Sequence, residues 1–164
     1  MRVAVLADTH WKGEDAVPEP VLRCLEAADV VVHAGDLKCE KVLATLGGDN
    51  RTVLAVRGDN FDLDLASLPD SRVENLNGYR VGICHDIGSV SDFANYKKKP
   101  EEFFGEKVDC VIFGGTHHPF YDEFHGVTFI NPGSVTDHDH SGSRGTLAML
   151  DIDGKLDQVL FQHL

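Results

Sequence analysis

The amino-acid sequence predicts an α/β protein in which two β-sheets pack face to face and α-helices lie outside them. In the first sixty residues, short apolar runs alternate with segments of helical periodicity, which is typical of parallel strands joined by right-handed crossovers. In the second half, three pairs of apolar runs flank short turn signals, which is typical of β-hairpins and antiparallel pairing. The 164 residues contain no internal repeat and no linker-like stretch, so we expect one domain spanning residues 1–164.

The first half predicts three strands and two helices. Val3–Ala7 is a continuous apolar run of the kind that is buried on both faces of a sheet. Val21, Leu22 and Leu25 have helical spacing, and the prolines before them place the start of that helix near Glu19. The next elements are a strand over Val30–His33, a helix over Lys38–Leu46 and a strand over Thr52–Val56.

The second half predicts three hairpins, one or two short helices and one single strand. Asn77-Gly78, His125-Gly126 and Asp153-Gly154 are the turn signals. The hairpin strands are Arg72–Leu76 with Arg80–Cys84, Phe120–Phe124 with Val127–Ile130, and Thr146–Ile152 with Leu156–Phe161. The polar stretch from Gly88 to Glu106 is expected to hold one or two short helices, with a helix start at Pro100, and Asp109–Phe113 is the single strand.

The charge balance argues against two classes of partner. The chain carries 15 basic and 27 acidic residues, which give a formal net charge of −12. Nucleic-acid polymers and acidic membranes both require a basic surface, so neither is expected to bind. A small anionic substrate is compatible with this charge, because a bound cation can reverse the local field.

The termini and the cysteines indicate a cytoplasmic protein. The chain begins in a strand-like apolar stretch with no signal-peptide pattern, and no apolar run approaches the length of a membrane span. The four cysteines form no C-x-x-C pair, and Cys24, Cys84 and Cys110 have apolar neighbours. We therefore expect reduced thiols, with neither a disulfide framework nor a structural zinc site.

Polar side chains follow five of the predicted strands at the point where each strand ends. In open α/β sheets, ligands bind outside the carboxyl ends of the strands. Asp, Asn and His supply the oxygen and nitrogen ligands of borderline metal ions, and a cation would offset the repulsion within such a cluster. The residues are, in chain order, Asp8 and His10; His33 and Asp36; Asp59, Asn60 and Asp62; His85 and Asp86; and Thr116, His117 and His118.

An ordered series of motifs resembles the calcineurin-like metallophosphoesterases, and most closely the small YfcE-like phosphodiesterases of bacteria and archaea. The matching segments are Asp8-Thr9-His10, His33-Ala34-Gly35-Asp36, Val56-Arg57-Gly58-Asp59-Asn60-Phe61-Asp62, Cys84-His85-Asp86, Gly114-Gly115-Thr116-His117-His118-Pro119 and Asn131-Pro132-Gly133-Ser134. Asp-x-His alone carries little information, whereas the whole series in this order is specific and covers the chain. The resemblance implies a four-layer fold with two packed mixed β-sheets, a β-sandwich, flanked by α-helices.

The same resemblance implies a ligand set for two divalent metal ions. Asp8, His10, Asp36 and His117 would hold one ion, and Asp36 would bridge to a second ion that Asn60 and His85 also hold. The family hydrolyses phosphoesters with a hydroxide held between the metals, so Asp36, Asn60 and His85 are expected to be catalytic. Adjacent cations lower the pKa of bound water and clamp the phosphoryl oxygens.

One expected ligand of the second metal is missing. The usual Gly-His-Thr-His of the family is Gly114-Gly115-Thr116-His117 here, so glycine replaces a histidine ligand. Water, Asp59, Asp86 or His118 could fill the gap. We expect the second site to bind its metal more weakly than the first.

The loop after the third strand also departs from the family pattern. The usual Gly-Asn-x-Asp appears as Gly58-Asp59-Asn60-Phe61-Asp62, with one extra residue. Asn60 keeps its spacing to Asp62 and is the favoured ligand, with Asp59 as the alternative. Phe61 stands where larger members carry a histidine that can protonate the leaving group, which favours a substrate with an activated leaving group.

These features predict a phosphodiesterase that acts on a small phosphate ester with Mn²⁺, Fe, Ni²⁺ or Zn²⁺. The alternative is a protein-binding scaffold of the same fold with a weakened metal site, because some members of this fold serve mainly in protein binding. A homo-oligomer is compatible with the sequence, and the physiological substrate is left open.

Overall fold

The computed structural model describes residues 1–11, 17–59, 65–87, 100–136 and 145–164. These residues form ten strands and three helices. The first half contains β1 (Arg2–Leu6), α1 (Glu19–Leu25), β2 (Val30–His33), α2 (Glu40–Gly47) and β3 (Thr52–Ala55). The second half contains β4 (Ser71–Leu76), β5 (Tyr79–Cys84), α3 (Pro100–Phe104), β6 (Cys110–Ile112), β7 (Pro119–Phe124), β8 (Val127–Pro132), β9 (Thr146–Ile152) and β10 (Leu156–His163).

The first sheet has the strand order β10-β9-β1-β2-β3. Strand β2 lies between β1 and β3 and is parallel to both, with Val32 opposite Val5 on one side and Leu54 on the other. This confirms the parallel pairing predicted for the first sixty residues. The last hairpin, β9–β10, joins the same sheet because β9 pairs antiparallel with β1.

The second sheet has the strand order β4-β5-β6-β8-β7. The hairpins β4–β5 and β7–β8 are antiparallel as predicted, and Asn77 and Gly78 both have positive φ at the first turn. The antiparallel hairpins do not account for the whole second half, because β6 pairs parallel with both β5 and β8 and makes the sheet mixed, as the resemblance implies. Turn signals show only which neighbours along the chain form hairpins, and β6 follows a long connection from β5.

Three hydrophobic layers hold the sheets and helices together, which confirms the four-layer sandwich. Strand β1 shows the alternation that the pleat requires, since Val3 and Val5 belong to one layer and Ala4 and Leu6 to another. The layer between the sheets contains Val3, Val5, Val32 and Leu150 from the first sheet and Val81, Ile83, Ile112 and Ile130 from the second. The layer under α1 and α2 contains Leu6, Val31, Val21, Leu25, Val42 and Leu46. The layer under α3 contains Val111 and Phe129 with Phe103 and Phe104.

The parallel strands of both sheets deliver their following loops to one place. Backbone hydrogen bonds join the loop after β1 to the loop after β2, and the loop after β5 to the loop after β6. A side-chain hydrogen bond from His85, just after β5, to the carbonyl of Ala34, just after β2, links the two sheets.

In the described parts of the chain, no helix is both long and apolar enough to cross a membrane.

Replacement of Phe129 by alanine should lower the free energy of unfolding by about 3–5 kcal/mol, because a fully buried ring of the third layer would leave a cavity. Tyr121→Ala on β7 is the control, since that ring is half exposed and its loss should cost far less. Urea unfolding followed by circular dichroism measures both. Equal losses for the two variants would contradict the packing of the third layer.

Candidate metal centre

The loops after β1 and β2 fix each other through their backbones. The amide of Asp8 donates to the carbonyl of Gly35 at 3.1 Å, and the amide of His10 donates to the carbonyl of Asp36 at 3.1 Å. Asp8 and His10 therefore stand beside Asp36 because of main-chain pairing, before any side-chain interaction is considered. In the second sheet, the amide of Gly114 donates to the carbonyl of His85 at 3.0 Å, and this hydrogen bond joins the loop after β6 to the loop after β5.

Four of the predicted metal ligands have a left-handed backbone. The φ angles are 52° at Asp8, 51° at His10, 57° at Asp36 and 61° at His117. Residues other than glycine seldom adopt this conformation, and it persists only where the surrounding structure enforces it. The strain coincides with the positions at which side chains turn toward one point, which is typical of a functional site.

The carboxylate of Asp8 lies between two histidine rings. Its Oδ1 atom is 3.3 Å from Nε2 of His117 and 3.8 Å from Nε2 of His85. The ring of His10 stands edge to face with that of His117, with 5.6 Å between the ring centres. One candidate metal group is therefore formed by Asp8, His10 and His117, whose ligand atoms all lie within 4.8 Å of one another.

The carboxylate of Asp36 has one oxygen near each side of the cluster. Its Oδ1 atom is 3.4 Å from Nε2 of His85, and its Oδ2 atom is 3.6 Å from Nε2 of His10. A second candidate group consists of Asp8, Asp36 and His85. Asp8 belongs to both groups, and Asp36 contacts a histidine of each.

The hydrogen bond of His85 defines which of its ring nitrogens faces the cluster as an acceptor. Its Nδ1 atom is 2.8 Å from the carbonyl oxygen of Ala34, and a carbonyl can only accept, so Nδ1 carries the proton. In the neutral ring, Nε2 then presents a lone pair toward the carboxylates of Asp8 and Asp36. Nε2 of His85 and the carboxylates of Asp8 and Asp36 therefore converge on one point. Such an arrangement of acceptors suits a bound cation.

Asp8 is buried at 0% exposure, and its two carboxylate oxygens have different surroundings. Oδ2 accepts a hydrogen bond of 3.0 Å from the amide of Gly115, whereas Oδ1 accepts none from the described residues. Burial raises the pKa of the Asp8 carboxyl, and the negative charge of Asp36 raises it further. His85 and the hydrogen bond from the Gly115 amide lower this pKa but do not offset the effect of burial. A buried carboxylate oxygen without a donor, facing imidazole nitrogens, is a suitable ligand for a divalent cation.

His33 stays neutral and supports the first loop. Its ring is fully buried, and Nε2 lies 3.0 Å from the hydroxyl of Thr9, which stands between Asp8 and His10 in the chain. Burial, with a smaller effect of the nearby His85, lowers the pKa of His33 to about 3. The histidine therefore adds no positive charge to the cluster and acts through its hydrogen bond to Thr9.

The structure brings together five of the predicted ligands, namely Asp8, His10, Asp36, His85 and His117. Asn60 lies outside the described residues. Asp59 and His118 are exposed and belong to neither candidate group. Gly115 takes part through its amide, which contacts Asp8, so the glycine that replaces the expected histidine is itself part of the cluster.

The residues that hold Asp8 from outside were not assigned a role from the sequence. The hydroxyls of Ser134 and Thr136 lie 2.9 and 3.2 Å from the carbonyl oxygen of Asp8. Asn131 donates to the carbonyl of Gly114 at 2.9 Å. A signal was present, since Asn131 to Ser134 follow an apolar run just as the five recognised clusters do.

Gly35 leaves room for the ring of His85, which predicts the effect of an added methyl group. A Cβ at Gly35, where φ is +95°, would lie 2.5 Å from the ring, so Gly35→Ala should displace His85 and weaken Mn²⁺ binding about tenfold or more. Gly126→Ala is the matched control, because φ is +79° there and no atom lies within 4 Å of an added Cβ. Isothermal titration with Mn²⁺ compares them, and equal affinities would contradict this account of His85.

The chain matches a phosphoesterase family along most of its length. The model of the calcineurin-like phosphoesterase superfamily domain matches residues 1–155. A probable metallophosphoesterase of Methanocaldococcus jannaschii is 30% identical over 139 residues, which is 83% of this chain and 69% of that protein.

Solved structures share the fold at lower identity. A novel archaeal phosphodiesterase superposes with a TM-score of 0.74 and 22% identity over 100% of both chains. Vps29 from Entamoeba histolytica, crystallised in complex with zinc, has a TM-score of 0.73 and 23% identity over 100% of this chain and 98% of its own. With the family match over residues 1–155, these similarities confirm the resemblance found in the sequence motifs, and the chain belongs to the calcineurin-like phosphoesterase superfamily.

Proposed function

We propose that this protein is a metal-dependent phosphodiesterase that hydrolyses a small phosphate ester. The observation that carries the proposal is the convergence of Asp8, Asp36 and His85, in which Nε2 of His85 lies 3.8 Å from Oδ1 of Asp8 and 3.4 Å from Oδ1 of Asp36. Family membership supports phosphoester hydrolysis. The archaeal phosphodiesterase of the same fold supports a diester substrate, by analogy of fold.

Each proposed ligand has a role that follows from its position. Asp8 and Asp36 supply the negative charge that retains cations, and His10, His85 and His117 supply neutral nitrogen ligands around them. Ala34 keeps the proton of His85 on Nδ1, which leaves Nε2 available as a ligand. Divalent cations at this centre would lower the pKa of a water molecule and offset charge on the phosphoryl oxygens.

The ligand types are compatible with Mn²⁺, Fe, Ni²⁺ or Zn²⁺, and we propose two ions per chain. The first would be held by Asp8, His10, Asp36 and His117, and the second by Asp36, Asn60 and His85. A centre of cations also accounts for an anionic substrate on a chain whose formal net charge is −12, because the bound ions reverse the field locally.

The second ion is proposed to bind more weakly, for a reason visible at Gly115. A Cβ at this position would lie 3.7 Å from Nε2 and 3.9 Å from Cε1 of His85, which is ordinary van der Waals contact. The space next to His85 therefore has room for a Cβ atom, and glycine supplies no side chain there. The group that contains Asp36 and His85 has one nitrogen ligand fewer than the family pattern implies.

The alternative function is protein binding by a scaffold of the same fold. The similarity in fold to Vps29 and the missing ligand at Gly115 favour it. The two functions differ in one measurable respect, since a scaffold requires no turnover of a phosphodiester with any divalent metal.

Purified protein should hydrolyse bis(p-nitrophenyl) phosphate in the presence of Mn²⁺, and Asp36→Asn should reduce the rate at least about a hundredfold, because the amide carries no charge to retain the cations. The release of p-nitrophenolate measures the rate. Asp157→Asn on β10, whose carboxylate pairs with Lys155 outside the cluster, is the matched control and should keep the wild-type rate.

Two results would contradict the proposed phosphodiesterase activity. One is the absence of turnover with Mn²⁺, Fe²⁺, Ni²⁺ and Zn²⁺ in protein that binds these ions, which would favour the scaffold. The other is an equal loss of rate in Asp36→Asn and Asp157→Asn. The loss would then follow from removing any carboxylate and not from removing a metal ligand.

Restoring a histidine at Gly115 should strengthen the second site. After mild chelation and dialysis, the wild type should retain about one metal ion per chain and Gly115→His about two, because an imidazole adds a nitrogen ligand. Gly115→Ala is the matched control, since φ is +78° and both variants carry the same backbone strain. Metal content is measured by inductively coupled plasma mass spectrometry.

The wild type provides the decisive comparison. Two ions retained equally by the unmodified chain would contradict the weak second site. Equal metal content in Gly115→His and Gly115→Ala would show that another residue or water already occupies the position of the missing ligand.

A further inference from the structure

The turn after β8 contacts the first metal-ligand loop through two hydroxyl groups. Ser134 and Thr136 place their hydroxyl oxygens 2.9 and 3.2 Å from the carbonyl oxygen of Asp8. Ser134 is buried and is separated from Asp8 by more than 120 positions in the sequence. The contact therefore results from the tertiary fold, which brings two distant segments of the chain together.

The two hydroxyls can satisfy the carbonyls around them together. The oxygen of Ser134 also lies 2.6 Å from the carbonyl of Thr136, and each hydroxyl has one proton to donate. When Ser134 donates to the carbonyl of Thr136, the hydroxyl of Thr136 remains available to the carbonyl of Asp8. Removal of one hydroxyl can be compensated in part by the other, and removal of both leaves the carbonyl of Asp8 without either donor.

Asp8 depends on such support because its own conformation is strained. Its φ is 52°, and its side chain is fully buried beside the carboxylate of Asp36. The carbonyl that the hydroxyls hold belongs to the same residue whose Oδ1 faces His85 and His117. A displacement of this stretch of main chain would move the Cα atom of Asp8 and, with it, the carboxylate that faces both rings.

The same turn also fixes the loop that carries His117. The side-chain amide of the buried Asn131 donates to the carbonyl of Gly114 at 2.9 Å and to the hydroxyl of Thr116 at 3.0 Å. Its oxygen accepts from the amide of Gly133 at 2.9 Å, which closes the turn. Gly115, between the two residues that Asn131 holds, donates its amide to Oδ2 of Asp8.

We infer that residues 131–136 are a positioning segment that sets the metal affinity of the centre by orienting Asp8. Ser134 and Thr136 act on its main chain, and Asn131 acts through the Gly114–Thr116 loop on its side chain. These are positioning residues, since none of them belongs to a candidate metal group. The inference rests on the proposed function only in requiring that Asp8 binds a metal ion.

The test compares variants that remove or keep the hydroxyls. Ser134→Ala combined with Thr136→Val should weaken Mn²⁺ binding about tenfold or more and alter the visible absorption of bound Co²⁺, which reports the ligand geometry. Each single variant should lose less than the double variant, and Thr136→Ser should bind as the wild type does because it keeps the hydroxyl. The measurements are isothermal titration with Mn²⁺ alone, Co²⁺ absorption spectra and urea unfolding of metal-free protein.

Thr128→Val is the matched control for a lost buried hydroxyl. Thr128 lies on β8 as Asn131 does, but its hydroxyl contacts Tyr79 at 3.3 Å. This variant should lower stability without changing Mn²⁺ affinity. If the double variant does not fold, the single variants together with Thr136→Ser decide the question.

The outcomes separate this inference from the proposed function. Wild-type affinity and an unchanged Co²⁺ spectrum in the hydroxyl-deficient variants would overturn the positioning role while leaving the metal centre intact. An equal loss of affinity in Thr128→Val would overturn it as well, since the effect would then follow from stability alone. A wild-type chain that binds neither Mn²⁺ nor Co²⁺ would overturn the metal centre and, with it, the proposed function.

Discussion

The centre depends on the burial of one carboxylate beside another. Asp8 is inaccessible to solvent and Asp36 nearly so, and two carboxylates so close in a low-dielectric region repel each other unless a proton or a cation lies between them. The nearest described cationic candidates are histidines, and one of them, His85, has its proton directed to a carbonyl oxygen. A divalent cation meets this requirement directly, because its charge offsets that of both carboxylates.

The sandwich makes this burial possible by bringing the loops of two sheets to the same point. Loops after β1 and β2 come from the first sheet, and loops after β5, β6 and β8 come from the second. Main-chain hydrogen bonds join the loops within each sheet, and the contact between His85 and Ala34 joins the sheets. The strained φ angles of Asp8 and Asp36 are the local consequence, because short loops must turn sharply to face one another.

The sequence predicted the strands and the convergence of ligand-type residues more fully than it predicted their support. Apolar runs and turn signals are local, so β1 to β3 and the three hairpins were predicted, whereas the parallel pairing of β6 depends on contacts between distant segments. Asp8 and His117 could be proposed because their residue types are typical of metal ligands. The segment from Asn131 to Ser134 also follows an apolar run, but serine and threonine occur in many turns, and only the fold shows that the hydroxyls of Ser134 and Thr136 contact the carbonyl of Asp8.

Gly115 contributes to the centre through its backbone amide, although it has no side chain to bind a metal ion. Its amide holds Oδ2 of Asp8, so the other oxygen, Oδ1, is left facing His85 and His117. The position therefore contributes to the orientation of a ligand shared by both candidate groups, even though it offers no ligand atom of its own. A substitution there acts on two properties at once, the number of nitrogen ligands beside His85 and the orientation of Asp8. The two candidate groups are consequently linked through Asp8, which belongs to both.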